Sequence, residues 1–196
     1  MPAKLLISRQ EYLASGIHIG MKQRTEQMKE FIYKIRPDGL AVLNLKMIDE
    51  RIKTASKFLA KLNKIIVVGR KSAAKGAIEK FGELIGAVVV TGRFMPGTLT
   101  NPHYRKFFEA EAILIIDPLT DMQALNEAVT ARVPVVGICD TFNETRDIDL
   151  IIPANNKGKK ALATLFWILA REVLKERGTI KSDSEFQYKI EDFDME

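Results

Sequence analysis

Six runs of five mostly apolar residues recur along the chain: Leu40–Asn44, Ile65–Gly69, Ala87–Thr91, Ile113–Asp117, Val135–Cys139 and Ile148–Ile152. Rich in Val and Ile with few polar interruptions, they read as strands covered on both faces. Stretches of helical period separate them. Ile48, Ile52, Ala55, Leu59 and Leu62 form one stripe. A second helix runs from about Lys160 to Arg177, is apolar at Leu162, Leu165, Phe166, Leu169 and Val173, and stops at Gly178. Between Asp117 and Val135 the pattern Thr120-x-x-Gln123 predicts a capping box, with Met122, Leu125 and Val129 facing inward. Residues 8–16 predict a short helix ending at Gly16. Alternation of this kind predicts an α/β fold with a mostly parallel sheet.

The length, 196 residues, suits one such domain. The sequence divides into a domain over 1–180, with its N-terminal helix and basic segment, and an acidic tail over 181–196. The last fourteen residues, Asp183 to Glu196, hold six acids and one lysine, and too little apolar surface to form a core element. Its aromatics, Phe186, Tyr188 and Phe193, are expected to stay mobile or pack on a neighbouring protein. No run approaches the eighteen apolar residues of a membrane span. Met1-Pro2-Ala3-Lys4 precedes only a brief apolar patch, so no secretory leader is expected. A single cysteine, Cys139, excludes an internal disulfide and any multi-cysteine metal site, and fits a reducing compartment.

Charge is distributed unevenly. Residues 1–112 carry 20 Lys and Arg against 10 Asp and Glu, whereas 113–196 carry 10 against 15. A basic N-terminal half points to a polyanionic partner, RNA or DNA. From Lys22 to Arg36 cations interleave with aromatics: Lys22, Arg24, Lys29, Phe31, Tyr33, Lys34 and Arg36. That pattern suits single strands and RNA loops, and equally a basic surface helix with Phe31 buried. Two predicted helix starts carry cations where the macrodipole is positive: Arg70-Lys71, and Lys157 with Lys159 and Lys160. An anion bound there would reverse the sign of that interaction. The connection from Gly92 to Glu111 is too long for a simple crossover and opens with two Gly, two Pro and one charge, Arg93. It reads as an ordered, functional loop carrying Arg93, Arg105 and Lys106, and one that the sheet does not need for stability.

Catalytic signals are weak. Gly69-Arg70-Lys71-Ser72 ends like a phosphate loop, but Lys64 stands where its first glycine belongs, and no GxGxxG follows any run. Asp117, Asp121 and Asp140 fall at strand C-termini, where open α/β sheets bind ligands, yet they serve equally as caps and turns. His18 is expected neutral and paired to backbone, His103 to lie near a phosphate or ring, and Cys139 to be a buried, inert thiol. The competing reading is a small-molecule enzyme holding a phosphorylated ligand at Gly69–Ser72 near Asp117.

Several ordered blocks carry a resemblance. They are Tyr12–Gly20 (YLASGIHIG), Phe31–Tyr33, Gly92–Phe94 with Pro96–Pro102 (PGTLTNP), Asp117-Pro118, Pro134–Val136, Cys139–Thr141, and Asp149 with Ile152–Gly158 (IPANNKG). Over about residues 8–177 the chain resembles the universal S-two family of small-subunit ribosomal proteins, whose animal member is the laminin-receptor precursor. Bacterial members insert a coiled-coil hairpin after the position of Pro102, and animal members carry a longer acidic tail; this short form is similar to archaeal members. The resemblance implies a flavodoxin-like three-layer α/β/α core and a structural role at the head–body junction on the solvent side of the subunit. It implies small-subunit rRNA and neighbouring ribosomal proteins as partners, a cytoplasmic location in the ribosome, and neither catalysis, cofactor nor metal. On this reading the RNA-contacting candidates are Lys22, Arg24, Lys29, Lys34, Arg36, Arg70, Lys71, Arg93, Arg105, Lys106, Lys157, Lys159 and Lys160.

Overall fold

A computed structural model describes residues 5–194. The leader expectation, on Met1–Lys4, and the last acid, Glu196, lie outside the described residues. Helix α1, Arg9–Ser15, opens on a capping box between Ser8 and Glu11 and ends at Gly16. Two short strands follow, β1 (Ile32–Ile35) and β2 (Ala41–Leu43), paired antiparallel. Two departures from expectation lie here. The Leu40–Asn44 run is not a strand of the main sheet, and the Lys22–Arg36 stretch ends in a strand rather than forming a helix. The reason is local: Pro37-Asp38-Gly39, with Gly39 at φ +85°, turns the chain back within reach of its own neighbour. Phe31 is fully buried, which favours the plain basic-surface alternative for this stretch and leaves the ring unable to stack on a base.

The main sheet is wholly parallel: β3 (Ile65–Gly69), β4 (Val88–Thr91), β5 (Ala112–Ile115), β6 (Val135–Cys139) and β7 (Leu150–Pro153), in the order β4-β3-β5-β6-β7. Helices α2 (Leu45–Ala60), α3 (Lys75–Ile85) and α5 (Lys159–Glu176) cover one face. There Ile65, Val67, Leu114, Val136 and Ile138 meet Ile52, Phe81, Phe166 and Leu169. Alternate strand residues, Ile66, Val68, Ile113, Ile115 and Val135, face the other way onto α4 (Met122–Ala131). This is the expected flavodoxin-like three-layer arrangement. The edge strands are the exceptions to two-sided burial: Val88 of β4 is 40% exposed, and Leu150 and Ile151 of β7 are half-buried.

Among the described residues the second face carries one helix, and the Gly92–Glu111 connection supplies the rest of its cover. Phe94 and Leu99 are buried with Ala124, Leu125 and Ala128, and Phe108 packs against them. The expectation that the sheet does not need this connection for stability is therefore overturned: those rings and methyls would otherwise leave Ile66 and Val68 open to water.

Helix α4 is rotated from its expected setting. Met122 is 50% and Val129 46% exposed, and the buried residues are Ala124, Leu125, Glu127 and Ala128. No capping box forms, because Thr120 Oγ1 donates to Asp117 and Gln123 donates to Glu127. Strand β7 starts at Leu150 rather than Ile148, since Asp149 turns its carboxylate onto the Val135 N–H at 2.8 Å.

The acidic C-terminal run also departs from expectation. Phe186 and Phe193 are buried in the main core, and Trp167 Nε1 donates to the Tyr188 carbonyl at 2.7 Å. Arg171, 5% exposed, joins α5 to both ends of the chain. Its Nη2 donates to the Leu6 carbonyl, its Nε pairs with Asp183 at 3.2 Å, and its guanidinium lies over the Trp167 ring. The aromatics thus pack on this chain's own core, and the acidic segment docks because its rings, Ile190 and an ion pair carry it.

Candidate nucleic-acid interface

All five parallel strands release their C-terminal ends along one edge, and the segments that follow them are tied together by polar side chains. Lys71, after β3, sets its Nζ 2.7 Å from Asp117 Oδ2, after β5, and also donates to the Asn156 side chain after β7. Asn143, after β6, donates to Asp117 at 2.7 Å and accepts from Asn156 at 3.0 Å. Asn156 further donates to the carbonyls of Ile116 and Ile138. Burial alone would raise the Asp117 carboxyl; the hydrogen bonds from Lys71, Thr120 and Asn143, with the Lys71 charge, outweigh it and hold it below the usual carboxylate range. A fully satisfied network of this kind rigidifies its surroundings. It engages Lys71 and Asp117, two of the groups with which the competing reading would hold a phosphorylated ligand.

The basic segment docks on the same edge. Met21 N–H donates to Thr141 Oγ1 at 2.9 Å, Thr25 N–H to the Thr141 carbonyl at 2.9 Å, and Thr145 N–H to Gln27 Oε1 at 2.8 Å. The backbones approach so closely that a Cβ on Gly20 would stand 2.5 Å from Thr141 Cγ2, which explains glycine there.

The predicted cations separate into two groups. Lys71 is consumed by Asp117; Lys29 pairs with Glu26 at 2.5 Å, Arg36 with Asp38 at 3.1 Å, and Lys159 with Asp194 at 3.7 Å. Lys157 lies 4.3 Å over the Phe142 ring. The exposed side chains of Lys22, Arg24, Arg70, Arg93 and Lys160 have no ion pair or hydrogen bond among the described residues, and all lie along the C-terminal edge. Arg105 and Lys106, equally unpaired, sit on the outer half of the long connection, where Lys106 lines a cavity of about 470 Å³ beside β4. Lys34 is unpaired on the hairpin, beside a largely apolar cavity of about 790 Å³ that it shares with His18, Tyr33 and Arg36.

At His18 burial lowers the pKa, as a neutral ring requires, but its Nδ1 is buried without a hydrogen-bond partner among the described residues. Cys139 is fully buried, and burial pushes its thiol far up, which leaves it inert. His103 is exposed. Asp121 is different. It is 3% exposed, its Oδ2 meets no partner, and burial, followed by the charge of Asp117, pushes its carboxyl up to about 6. Together with Arg70 and Arg93 it lines a cavity of about 360 Å³. Burial likewise raises the pKa of Asp140, against the N–H of Thr141. Among the described residues, no cluster of acids, His and Cys is placed to hold a metal.

Sequence reasoning missed Glu127. Buried at 6% exposure, it accepts from the N–H groups of Gly97 (2.8 Å) and Leu99 (3.1 Å) and from Gln123, and so clamps the Pro96–Pro102 loop onto α4. Its signal was present: an acid on the Ala124–Ala128 stripe, facing a loop with N–H groups to satisfy.

A family model described as ribosomal protein S2 matches residues 12–108 and 106–176. The small ribosomal subunit protein uS2 of Thermoplasma acidophilum is 45% identical, with both chains covered end to end. Its counterpart in Thermoplasma volcanium is 44% identical, again over the whole of both chains.

Proposed function

The chain belongs to the ribosomal protein S2 family, and from that premise we propose that the unpaired cations of the C-terminal sheet edge and the long connection are its grip on small-subunit rRNA. Membership makes it a structural constituent of the small subunit, working in the cytoplasmic ribosome beside rRNA and neighbouring ribosomal proteins, and not an enzyme. Among the described residues no helix is long and apolar enough to cross a membrane.

One observation carries the proposal: Lys22, Arg24, Arg70, Arg93 and Lys160 hold their charges toward water with no partner among the described residues, while Lys71 behind them is paired. Unpaired cations on a rigid edge neutralise phosphates and release counterions with little reordering of the protein. Arg105 and Lys106 extend the contact along the connection. Lys71 drops to a supporting role, because its charge is closed on a buried carboxylate; Lys29, Arg36 and Lys159 face carboxylates in exposed pairs that a phosphate can displace.

Filter binding of the protein to small-subunit rRNA tests this. The logarithm of affinity is expected to fall with the logarithm of salt by about 0.9 per duplex phosphate contact, and less for single strands. Arg93→Glu and Arg105→Glu, with unchanged melts, should lower the slope and reduce incorporation into subunits. A flat salt response in the parent protein, or normal incorporation of both variants, would remove the proposal.

A further inference from the structure

The two edges of the main sheet are guarded unequally. An edge strand presents a row of N–H and C=O groups, and natural sheets blunt such rows with charge, proline, bulges or cover. At the β7 edge Pro153 has no N–H to offer, and just beyond it the Asn155 N–H donates to the Ile17 carbonyl at 2.9 Å. Strand β4 has none of these devices. Its four residues, Val88 to Thr91, are uncharged and pair with β3 without a shift in register. The Gly92 N–H donates to the Gly69 carbonyl at 3.1 Å. Successive residues of a strand turn to opposite sides, so Val89 and Thr91 point their N–H and C=O groups away from β3. Among the described residues nothing meets those groups. Beside this edge lies the cavity of about 470 Å³, walled by Val88, Val90, Met95 and Phe107. Val88 and Met95 are exposed there, and Arg93 and Lys106 are the charged residues of the lining, with no acid among the described residues that form it.

We infer that the β4 edge takes an extended segment of a neighbouring small-subunit protein as a sixth strand, with apolar side chains in the cavity and a carboxylate on Lys106. The inference goes beyond the RNA reading and does not rest on it; Lys106 marks where the rRNA contact gives way to protein. The edge presents donors and acceptors together, which another peptide backbone returns in kind, whereas phosphate oxygens only accept. Valine side chains along the edge offer apolar contact rather than a flat ring for a base. Main-chain pairing of this kind supplies affinity, and pockets for alternate side chains supply the choice of partner. Two cations with no acid beside them repel a basic segment and select an acidic one.

The test uses the full chain in reconstituted small subunits, with photo-methionine, a diazirine analogue, at Met95 on the cavity wall. Irradiation is expected to cross-link it to another ribosomal protein. Mass spectrometry of the linked peptide should find apolar residues at alternate positions next to an acid. Attachment to rRNA, to a second copy of this chain, to a segment without that pattern, or to nothing overturns the inference. The parent protein gives an independent reading by hydrogen exchange. The Val89 and Thr91 amides should exchange readily in the isolated chain and about tenfold more slowly in the subunit, the factor of one net hydrogen bond. Unchanged exchange at both amides overturns the added strand. Val88→Lys, with its melt intact, should bind a synthetic copy of the cross-linked peptide about tenfold more weakly or worse, the value of one buried valine. Lys106→Glu should weaken the same peptide through charge. Equal binding by the parent and both variants overturns the site. A flat salt response of the parent with rRNA, beside an intact protein cross-link, removes the RNA grip and leaves this inference standing.

Discussion

Two neighbouring side chains show how differently a charge acts when its partner is present or missing. Lys71 and Asp117 are closed on each other, the carboxylate 3% and the lysine 20% exposed at the side chain. Lys71→Ala leaves that carboxylate buried and unpaired, and is expected to cost about 3–5 kcal/mol in urea unfolding. A loss below about 1 kcal/mol would mean that the pair is dispensable. Asp121, a few residues on, has its pKa raised from 3.8 to about 6. Between these values the folded chain keeps a proton that the unfolded chain has released, so stability falls as pH rises through that window. Beyond the window the ionised group costs about 3 kcal/mol at 1.36 kcal/mol per pK unit. Asp117 acts in the opposite sense: its carboxyl is held low, so its contribution is lost only as pH falls below about 4. Asp121→Asn should therefore flatten the decline between pH 4 and 6 and exceed the parent's urea midpoint at pH 7. Parallel pH profiles for parent and variant would contradict the assignment. None of this pairing is readable from the sequence, because a row of residues shows charges but not which of them meet after folding.

At the level of elements, legibility follows burial. Strands β3 and β6 have the bounds expected of them, because a strand buried on both faces must be apolar at every position. The β1–β2 hairpin does not, since three paired positions are too few to distinguish it from a core strand. The rotation of α4 escaped notice because its setting is decided by Glu127, a polar residue that periodicity counts as outward. Glu127→Ala would orphan the N–H groups of Gly97 and Leu99, at a cost of about 2–4 kcal/mol. Hydrogen exchange should show protection lost at those two amides ahead of the sheet; unchanged protection would place the clamp elsewhere. Helix α4 ends on Arg132 at φ +55°, a left-handed position that suits glycine. Arg132→Gly is expected to stabilise by about 1 kcal/mol, a rise of roughly 2–4 °C in melting temperature.

For the molecule as a whole, the two chain ends are part of one packed unit. Truncation before Asp183 exposes the sites of Phe186 and Phe193 and removes one of the partners of Arg171. Each ring is worth about 2–3 kcal/mol of burial, so a drop of roughly 10–20 °C in melting temperature is expected. A change within a few degrees would return the segment to the status of a tail. Composition pointed to a tail because six acids in fourteen residues outweigh three rings in any average, whereas packing depends on where those rings fall. The opposite end is tied in as firmly, yet to partners far away in sequence: Met21 donates to Thr141, 120 residues later. At a synthesis rate of about 5–20 residues per second, roughly 6–24 seconds pass between the emergence of those two residues. During that interval the segment bearing Lys22 and Arg24 has no surface to dock on, and the nascent chain presents an undocked basic arm to every polyanion around it. Chain order thus makes the last strands, not the first helix, the event that ends this exposure.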